Sequence, residues 1–271
     1  MKEEVIGHIL ARLGKDAAAL TQEFNRERGL PTRFAIIDDL LPDETARAVH
    51  KAFPPVEKMR LLDSFREKKY TSKSLDQFDS IISDVTFAFQ DPRVIDAICA
   101  VTGQRDPVGD PSLYAGGISE MTKGHFLNPH IDNSHDFEQK NYRVLNVLYY
   151  CTPDWKIEDG GNFELWDTRV TRPTEIPSYF NRLVLMETND KSWHSVNKVK
   201  TESVRCCVSN YYFSPNSPNG YETSHVTFFQ ARPEQRFMRL VTLADGYIRT
   251  GVRKMLKKDL NRKDLYAGRR P

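Results

Sequence analysis

The chain has 271 residues, 39 basic against 37 acidic side chains, a net charge of +2, and 39% hydrophobic and 11% aromatic content. That is enough apolar material for a sizeable core and too much for a disordered chain, and no apolar run approaches the ~18 residues of a membrane-crossing helix. Four scattered cysteines (Cys99, Cys151, Cys206, Cys207) make neither a disulfide framework nor a paired-cysteine zinc site, and the acidic start Met1-Lys2-Glu3-Glu4 lacks a signal peptide's basic flank, so a reduced, cytoplasmic protein is expected.

Residues 1–111 read as a helical support region. Val5, Ile6, Ile9, Leu10 and Leu13 keep helical spacing, and Gly14 is placed to end that helix. Phe34 to Ile37 is a short strand, after which Asp43 is expected to cap a helix through Ala46, Val49 and Phe53. Phe78, Ile81, Ile82, Val85 and Phe89 form another stripe. Asp91-Pro92 then opens a helix that buries Val94, Ile95, Ile98 and Val101 and stops at Gly103.

From 112 to 214 the pattern changes to short runs rich in Val, Tyr and Phe, separated by turn signals such as Asp159-Gly160-Gly161 and Asn189-Asp190. Eight strands are expected, over 112–119, 125–132, 143–151, 162–167, 174–180, 182–188, 193–199 and 203–213. So many short strands in so short a stretch point to a sandwich or jelly roll rather than to strand–helix–strand units. The fold class expected is therefore mainly β with flanking helices. Residues 215–271 form a C-terminal loop and a long basic helix, with Phe237, Leu240, Val241, Ala244, Ile248, Val252 and Met255 in one stripe. The whole reads as a single domain.

The near-zero net charge conceals an uneven distribution. Residues 249–271 hold nine basic and two acidic residues, which leaves the rest of the chain mildly acidic. A basic tail can mark a nucleic-acid or membrane surface. It also suits a helix C-terminus, where cations complement the macrodipole. The helix expected over 233–258 could pack on the barrel or join two copies of the chain.

The sharpest local feature is His130-Ile131-Asp132. On a strand, residues two apart share a face, so the imidazole and the carboxylate would point the same way. His194, opening the seventh expected strand, is the candidate third ligand. Two histidines and a carboxylate with open positions suit non-haem Fe(II), and zinc accepts the same donors. Of the other histidines, His8 and His50 fall on helices. His125 points away from His130, His135 lies in a polar loop, and His225 follows the β region. Arg205 sits inside the apolar run Val204 to Phe213, where a guanidinium facing inward needs an anion, and Cys207, Ser209 and Tyr211 share its face.

Taken together, His130 to Asn133, Arg143 to Trp155, Asp159 to Leu165, Asn181 to Val184, Trp193 to Val196 and Arg205 to Phe213 resemble the Fe(II)/2-oxoglutarate-dependent dioxygenases, in particular their prolyl-4-hydroxylase-like branch. The resemblance implies a double-stranded β-helix in which His130, Asp132 and His194 hold Fe(II). The co-substrates would be 2-oxoglutarate and O2, with Arg205 pairing the distal carboxylate of 2-oxoglutarate. Tyr150 matches a tyrosine that bonds the same carboxylate, with Tyr149 the alternative if the register slips by one. Tyr211 matches a pocket-lining aromatic, and Asn146 shares the Tyr150 face.

One departure stands out. Where the branch often has a tyrosine, about ten residues before the first metal histidine, this chain has Glu120 and Met121. Proline as the target therefore does not follow from the resemblance. The presence of Asp132 favours hydroxylation over halogenation. Tyr211, where nucleic-acid-demethylating members carry a second arginine, disfavours a nucleic-acid substrate. The expected activity is hydroxylation of an unactivated C–H in a small molecule, amino acid or peptidyl residue, with succinate and CO2 released. The segments 133–142 and 214–220 are candidate lids. A non-catalytic jelly-roll binding module and a zinc or cupin-type enzyme remain as alternative readings.

Overall fold

The computed structural model describes residues 1–235 and 237–239. Helix α1 (Lys2–Lys15) buries Val5, Ile6, Ile9 and Leu13 on one side and runs through Gly14, which does not end it. Helix α2 (Ala17–Asn25) follows with only Leu20 and Phe24 buried, too sparse a stripe to stand out in the sequence. After β1 (Phe34–Ile37) comes α3 (Asp43–Lys51). Pro42 rather than Asp43 takes the cap position there, and Asp43 instead accepts a 2.7 Å bond from Arg47 one turn on.

The next stretch corrects the largely helical reading of the N-terminal region, in which Phe34–Ile37 is the one strand. Residues Arg60–Asp63 (β2) and Glu67–Ser72 (β3) form a hairpin. Its strands are charged and only partly buried, so the alternation that reveals a half-buried strand is missing. Helices α4 (Ser80–Ala88) and α5 (Pro92–Thr102) return to the expected plan. Asp79 and Asp91 accept bonds from the backbone N–H groups of Ile81 and Arg93, and Gly103, at φ 72°, ends α5 in the left-handed conformation that glycine adopts without strain.

Eight strands follow: β4 (Gly117–Met121), β5 (Phe126–Ile131), β6 (Tyr142–Tyr150), β7 (Phe163–Trp166), β8 (Pro173–Ile176), β9 (Arg182–Glu187), β10 (His194–Val196) and β11 (Arg205–Ser214). Each overlaps one expected range. The first starts late because Asp110 gathers the Ser112 hydroxyl and the Ala115 N–H into a turn. A short further strand, β12 (Phe228–Phe229), comes after the expected set.

The strands join in one antiparallel sheet in the order β1-β9-β6-β11-β4-β3-β5-β10-β7-β8, with β2 added to β3 and β12 to β5. The sheet curls until its ends meet: Phe163, Leu165 and Ile176 from one end pack with Leu148, Val184 and Met186 from the other. The period-2 alternation divides the central strands cleanly. Leu145, Val147 and Tyr149 of β6, Cys151 just after it, and Cys206, Val208 and Tyr212 of β11 face the helices. Leu148, Tyr150 and Cys207 face the inside of the curl. The helices therefore back the sheet and leave its concave side for chemistry. The C-terminal helix expected over 233–258 and the basic tail lie outside the described residues, apart from the first positions of that helix.

Candidate metal centre

His130 and His194 are directly paired across β5 and β10, and Asp132 follows two residues on. One ligand atom from each of the three lies within 4.8 Å of the others. The Nε2 atoms of His130 and His194 stand 3.7 and 3.4 Å from the two Asp132 carboxylate oxygens. Each imidazole is turned the same way by its own strand: Nδ1 of His130 lies 3.0 Å from the Asn128 carbonyl and Nδ1 of His194 lies 2.9 Å from the Ser192 carbonyl. A carbonyl can only accept, so Nδ1 carries the proton in both rings and Nε2 offers its lone pair to the centre. Burial drops the His130 pKa to about 3, which keeps it neutral and ready to ligate. Burial alone would raise the Asp132 pKa, but the Arg143 guanidinium holds it well below the usual carboxylate range.

Asp132 is held from two further sides. Asn146 donates a 2.8 Å bond to Oδ2, and Arg143 approaches the same oxygen at 3.1 Å. Asn146 thus lies where its face predicts, but it holds the carboxylate rather than simply lining a pocket. Arg143 escapes the sequence reading. By strict alternation it would share the Tyr149 face and meet the helices. The β6–β11 ladder shifts register between Tyr212 and Phe213, and Val144 and Leu145 both turn to the helix side. That irregularity brings Arg143 to the concave face, 4% exposed, where its guanidinium lies 4.3 Å from the Tyr211 ring centre.

Deeper along the same face lies Arg205, 3% exposed. Its Nε donates to the Ser178 hydroxyl at 3.0 Å, Nη1 lies 3.6 Å from the Met121 sulfur, and the guanidinium lies 4.6 Å from the Tyr150 ring centre. No carboxylate pairs with it among the described residues. Among the described residues the buried Tyr150 hydroxyl makes no well-formed hydrogen bond, with Arg205 and Ser178 its polar neighbours. The turn Gly160-Gly161 makes room for this arrangement. Gly161 sits at φ 62°, and a Cβ there would come 2.8 Å from the Arg205 Cδ. Tyr149 is elsewhere: its hydroxyl donates to Asn181 Oδ1 at 3.0 Å and its ring packs against Phe89 on the helix side. The one-residue register alternative is thereby set aside, because Tyr150 pairs with Cys207 on the concave face.

Beside Asp132 opens a small pocket, lined by Arg143, Thr188, Asn219, Thr223 and His225 among others. Both candidate lids reach it, through Asn133, Ser134 and Tyr142 on one side and Pro218 and Asn219 on the other. His125, which the alternation sets apart from His130, bonds Thr122 at 3.2 Å and stacks on Tyr70. The four cysteines are free and buried.

The two residues at the point of departure divide between the faces. Met121 turns toward Arg205, whereas Glu120 turns to the helix side beside the Cys206 thiol, 4% exposed, with one carboxylate oxygen unpaired. Burial lifts its pKa from 4.5 to about 7, against a small opposing effect of the Cys206 contact. The folded protein therefore keeps a proton that the unfolded chain releases near pH 4.5. The stabilising contribution is full below that pH and is lost as pH rises toward and through 7. Glu120→Gln is expected to remove this slope, worth roughly 3 kcal/mol between pH 5 and 8. Chemical denaturation at the two pH values checks it, and identical slopes in both proteins would refute it.

Residues 116–213 match the model of the 2OG-Fe(II) oxygenase superfamily. The mouse protein named Prolyl 3-hydroxylase OGFOD1 is 33% identical over 89 residues, which covers 30% of this chain and 16% of that protein. The match thus spans less than a fifth of that relative's length. Among solved structures, a prolyl hydroxylase from Trichoplax adhaerens, in complex with a hypoxia inducible factor oxygen degradation domain peptide fragment, aligns with a TM-score of 0.51 at 17% identity, covering 75% of this chain and 93% of its own. A prolyl 4-hydroxylase from Phytophthora capsici aligns with a TM-score of 0.53 at 16% identity, covering 93% and 78%. At such identities the likeness is one of fold. The matched segment 116–213 contains the three clustered residues His130, Asp132 and His194, and Arg205.

Proposed function

We propose that this chain is a 2-oxoglutarate-dependent hydroxylase whose curled sheet is a double-stranded β-helix, with Fe(II) held by His130, Asp132 and His194. The observation that carries this reading is Arg205, a buried guanidinium that no carboxylate of the described residues neutralises, on the same concave face as the three ligands. Such a charge is costly unless an anion arrives, and the distal carboxylate of 2-oxoglutarate supplies one. The buried Tyr150 hydroxyl beside it adds a second donor for that carboxylate, while Ser178, whose own proton goes to the Gly161 carbonyl, accepts from Arg205 and orients it.

Iron with 2-oxoglutarate and O2 supplies the oxidising power to hydroxylate an unactivated C–H, with succinate and CO2 released. This chain's own residues hold and orient. The two backbone carbonyls set the imidazole tautomers, and Asn146 and Arg143 keep the Asp132 carboxylate ionised and aimed. Met121, Trp155, Val196 and Val199 form an apolar cluster, and through Met121 it reaches the Arg205 end, where it excludes water. The substrate, a small molecule or a peptidyl residue, enters through the polar cavity beside Asp132 between the two lid segments.

The test is anaerobic addition of Fe(II) and 2-oxoglutarate to the purified apoprotein. The weak visible charge-transfer band of the iron–2-oxoglutarate chelate is expected in wild type and not in His194→Ala. A wild type that shows no band and instead binds zinc tightly would favour a zinc enzyme. One that takes up neither would favour a binding module.

A further inference from the structure

We propose that the segment 225–232, which lies beyond the barrel strands, is a brace for the metal histidines, with Phe229 the positioning residue for His130 and Arg232 the latch that holds the brace shut. The proposal rests on the reading of His130, Asp132 and His194 as metal ligands. Strand β3 pairs with β5 only at Phe126 and Leu127, which leaves the same edge of β5 open where it reaches His130. The returning chain fills that edge: Phe228 pairs with Ile131, Phe229 with His130, and the Gln230 N–H donates to the Pro129 carbonyl at 2.8 Å. Being directly opposite His130, Phe229 lays its ring on the imidazole, with centroids 5.1 Å apart and planes inclined by only 19°. The other side of His130 meets the His194 ring at 4.1 Å. His130 is thus fixed between two rings, and its one bond to the Asn128 carbonyl is not its sole constraint.

Both ends of the segment are tied. At the start, His225 and Ser134 exchange backbone and hydroxyl bonds of 2.9 to 3.2 Å, which fastens the brace to the loop that follows Asp132. At the end, Arg232 grips both oxygens of the buried Glu164, at 2.5 and 3.2 Å. Glu164 also accepts from the Ser195 hydroxyl, which in turn accepts from the Trp166 indole at 2.8 Å. Ser195 is the residue after His194, so the latch closes behind the second metal histidine. A segment outside the matched stretch 116–213 thereby packs on the His130 imidazole and ties down the residue next to His194.

Removing an outer-shell support of a metal histidine typically costs ten- to a hundredfold in metal affinity. The test titrates apoprotein with Co(II) and reads both the dissociation constant and the visible ligand-field spectrum. Phe229→Ala is expected to weaken binding about tenfold and shift the spectrum, and Phe229→Tyr, which keeps the ring, to restore both. Phe229→Ala with wild-type affinity and spectrum would overturn the brace. Should Phe229→Ala fail to fold, the double variant Arg232→Met/Glu164→Gln opens the latch without leaving a buried charge. It is expected to lose affinity in the same direction, and unchanged Co(II) binding there would overturn the proposal equally. A folded wild type that binds no Co(II) would instead overturn the reading of the three ligands, and the brace with it.

Discussion

Replacing Arg205 with methionine is expected to abolish 2-oxoglutarate binding while leaving the fold at least as stable. The two effects separate because the guanidinium has no carboxylate partner among the described residues; its neighbours there are the neutral Ser178 hydroxyl, Met121 sulfur and Tyr150 ring. In the apoprotein the charge is buried for nothing, and an apolar side chain of similar volume relieves that cost. In the complex it is one half of a buried ion pair, and truncating such a partner costs about 2–5 kcal/mol, or roughly thirty- to several-thousandfold in affinity. Calorimetric titration of 2-oxoglutarate into the metal-loaded variant measures the first effect and thermal melting of the apoprotein the second. A variant that bound 2-oxoglutarate normally would remove Arg205 from the site. A variant that melted far below wild type would make Arg205 a structural residue.

Arg205 was legible in the sequence because a lone basic residue inside an apolar strand contradicts its surroundings, and such contradictions mark sites. His130 and Asp132 were legible through the period of two within a strand, and His194 as the third ligand expected from another strand; the ladder pairs His194 with His130 although its register shifts between His194 and Val196. Alternation also separates Tyr150 from Tyr149 once a neighbouring strand fixes the face, which sequence alone does not do. Where alternation breaks, the sequence misleads. The register shift opposite Phe213 turns Arg143 inward, and nothing in Tyr142-Arg143-Val144-Leu145 announces it. The hairpin β2–β3 was hidden for a different reason. β3 holds its place by pairing with β4 and β5, and β2 by pairing with β3, more than by burying apolar side chains, so they carry little hydrophobic signal. Phe229 and Arg232 were invisible because their roles depend on where the chain returns after the barrel, which is long-range information.

The two charges at the heart of the centre, Asp132 and Arg143, are expected to be coupled in stability and uncoupled in metal binding. Asp132→Ala deletes a ligand and also strands Arg143, whose buried charge then keeps only the neutral Asn133 oxygen and the Tyr211 and Phe213 rings, and leaves the Asn146 amide without its acceptor. Breaking a buried pair by removing one partner costs about 3–5 kcal/mol. The single variant should therefore be strongly destabilised as well as unable to hold metal. Adding Arg143→Met removes the stranded charge, and the double variant should recover most of the stability, because loss of both partners to apolar groups is close to neutral. It should recover none of the metal binding, since a ligand, not its support, is missing, and the loss should exceed the ~10–100-fold typical of an outer-shell change. Arg143→Met alone completes the cycle. Asp132 then loses its main stabilising cation, and metal affinity should fall by an outer-shell amount while some turnover survives. Denaturation midpoints and Co(II) titrations on the four proteins give both coupling energies. Additive stabilities would mean that the 3.1 Å contact between Arg143 and Asp132 contributes nothing to the fold. Tight Co(II) binding by Asp132→Ala would mean that the carboxylate is no ligand, and the arrangement of the two histidines would then need another explanation.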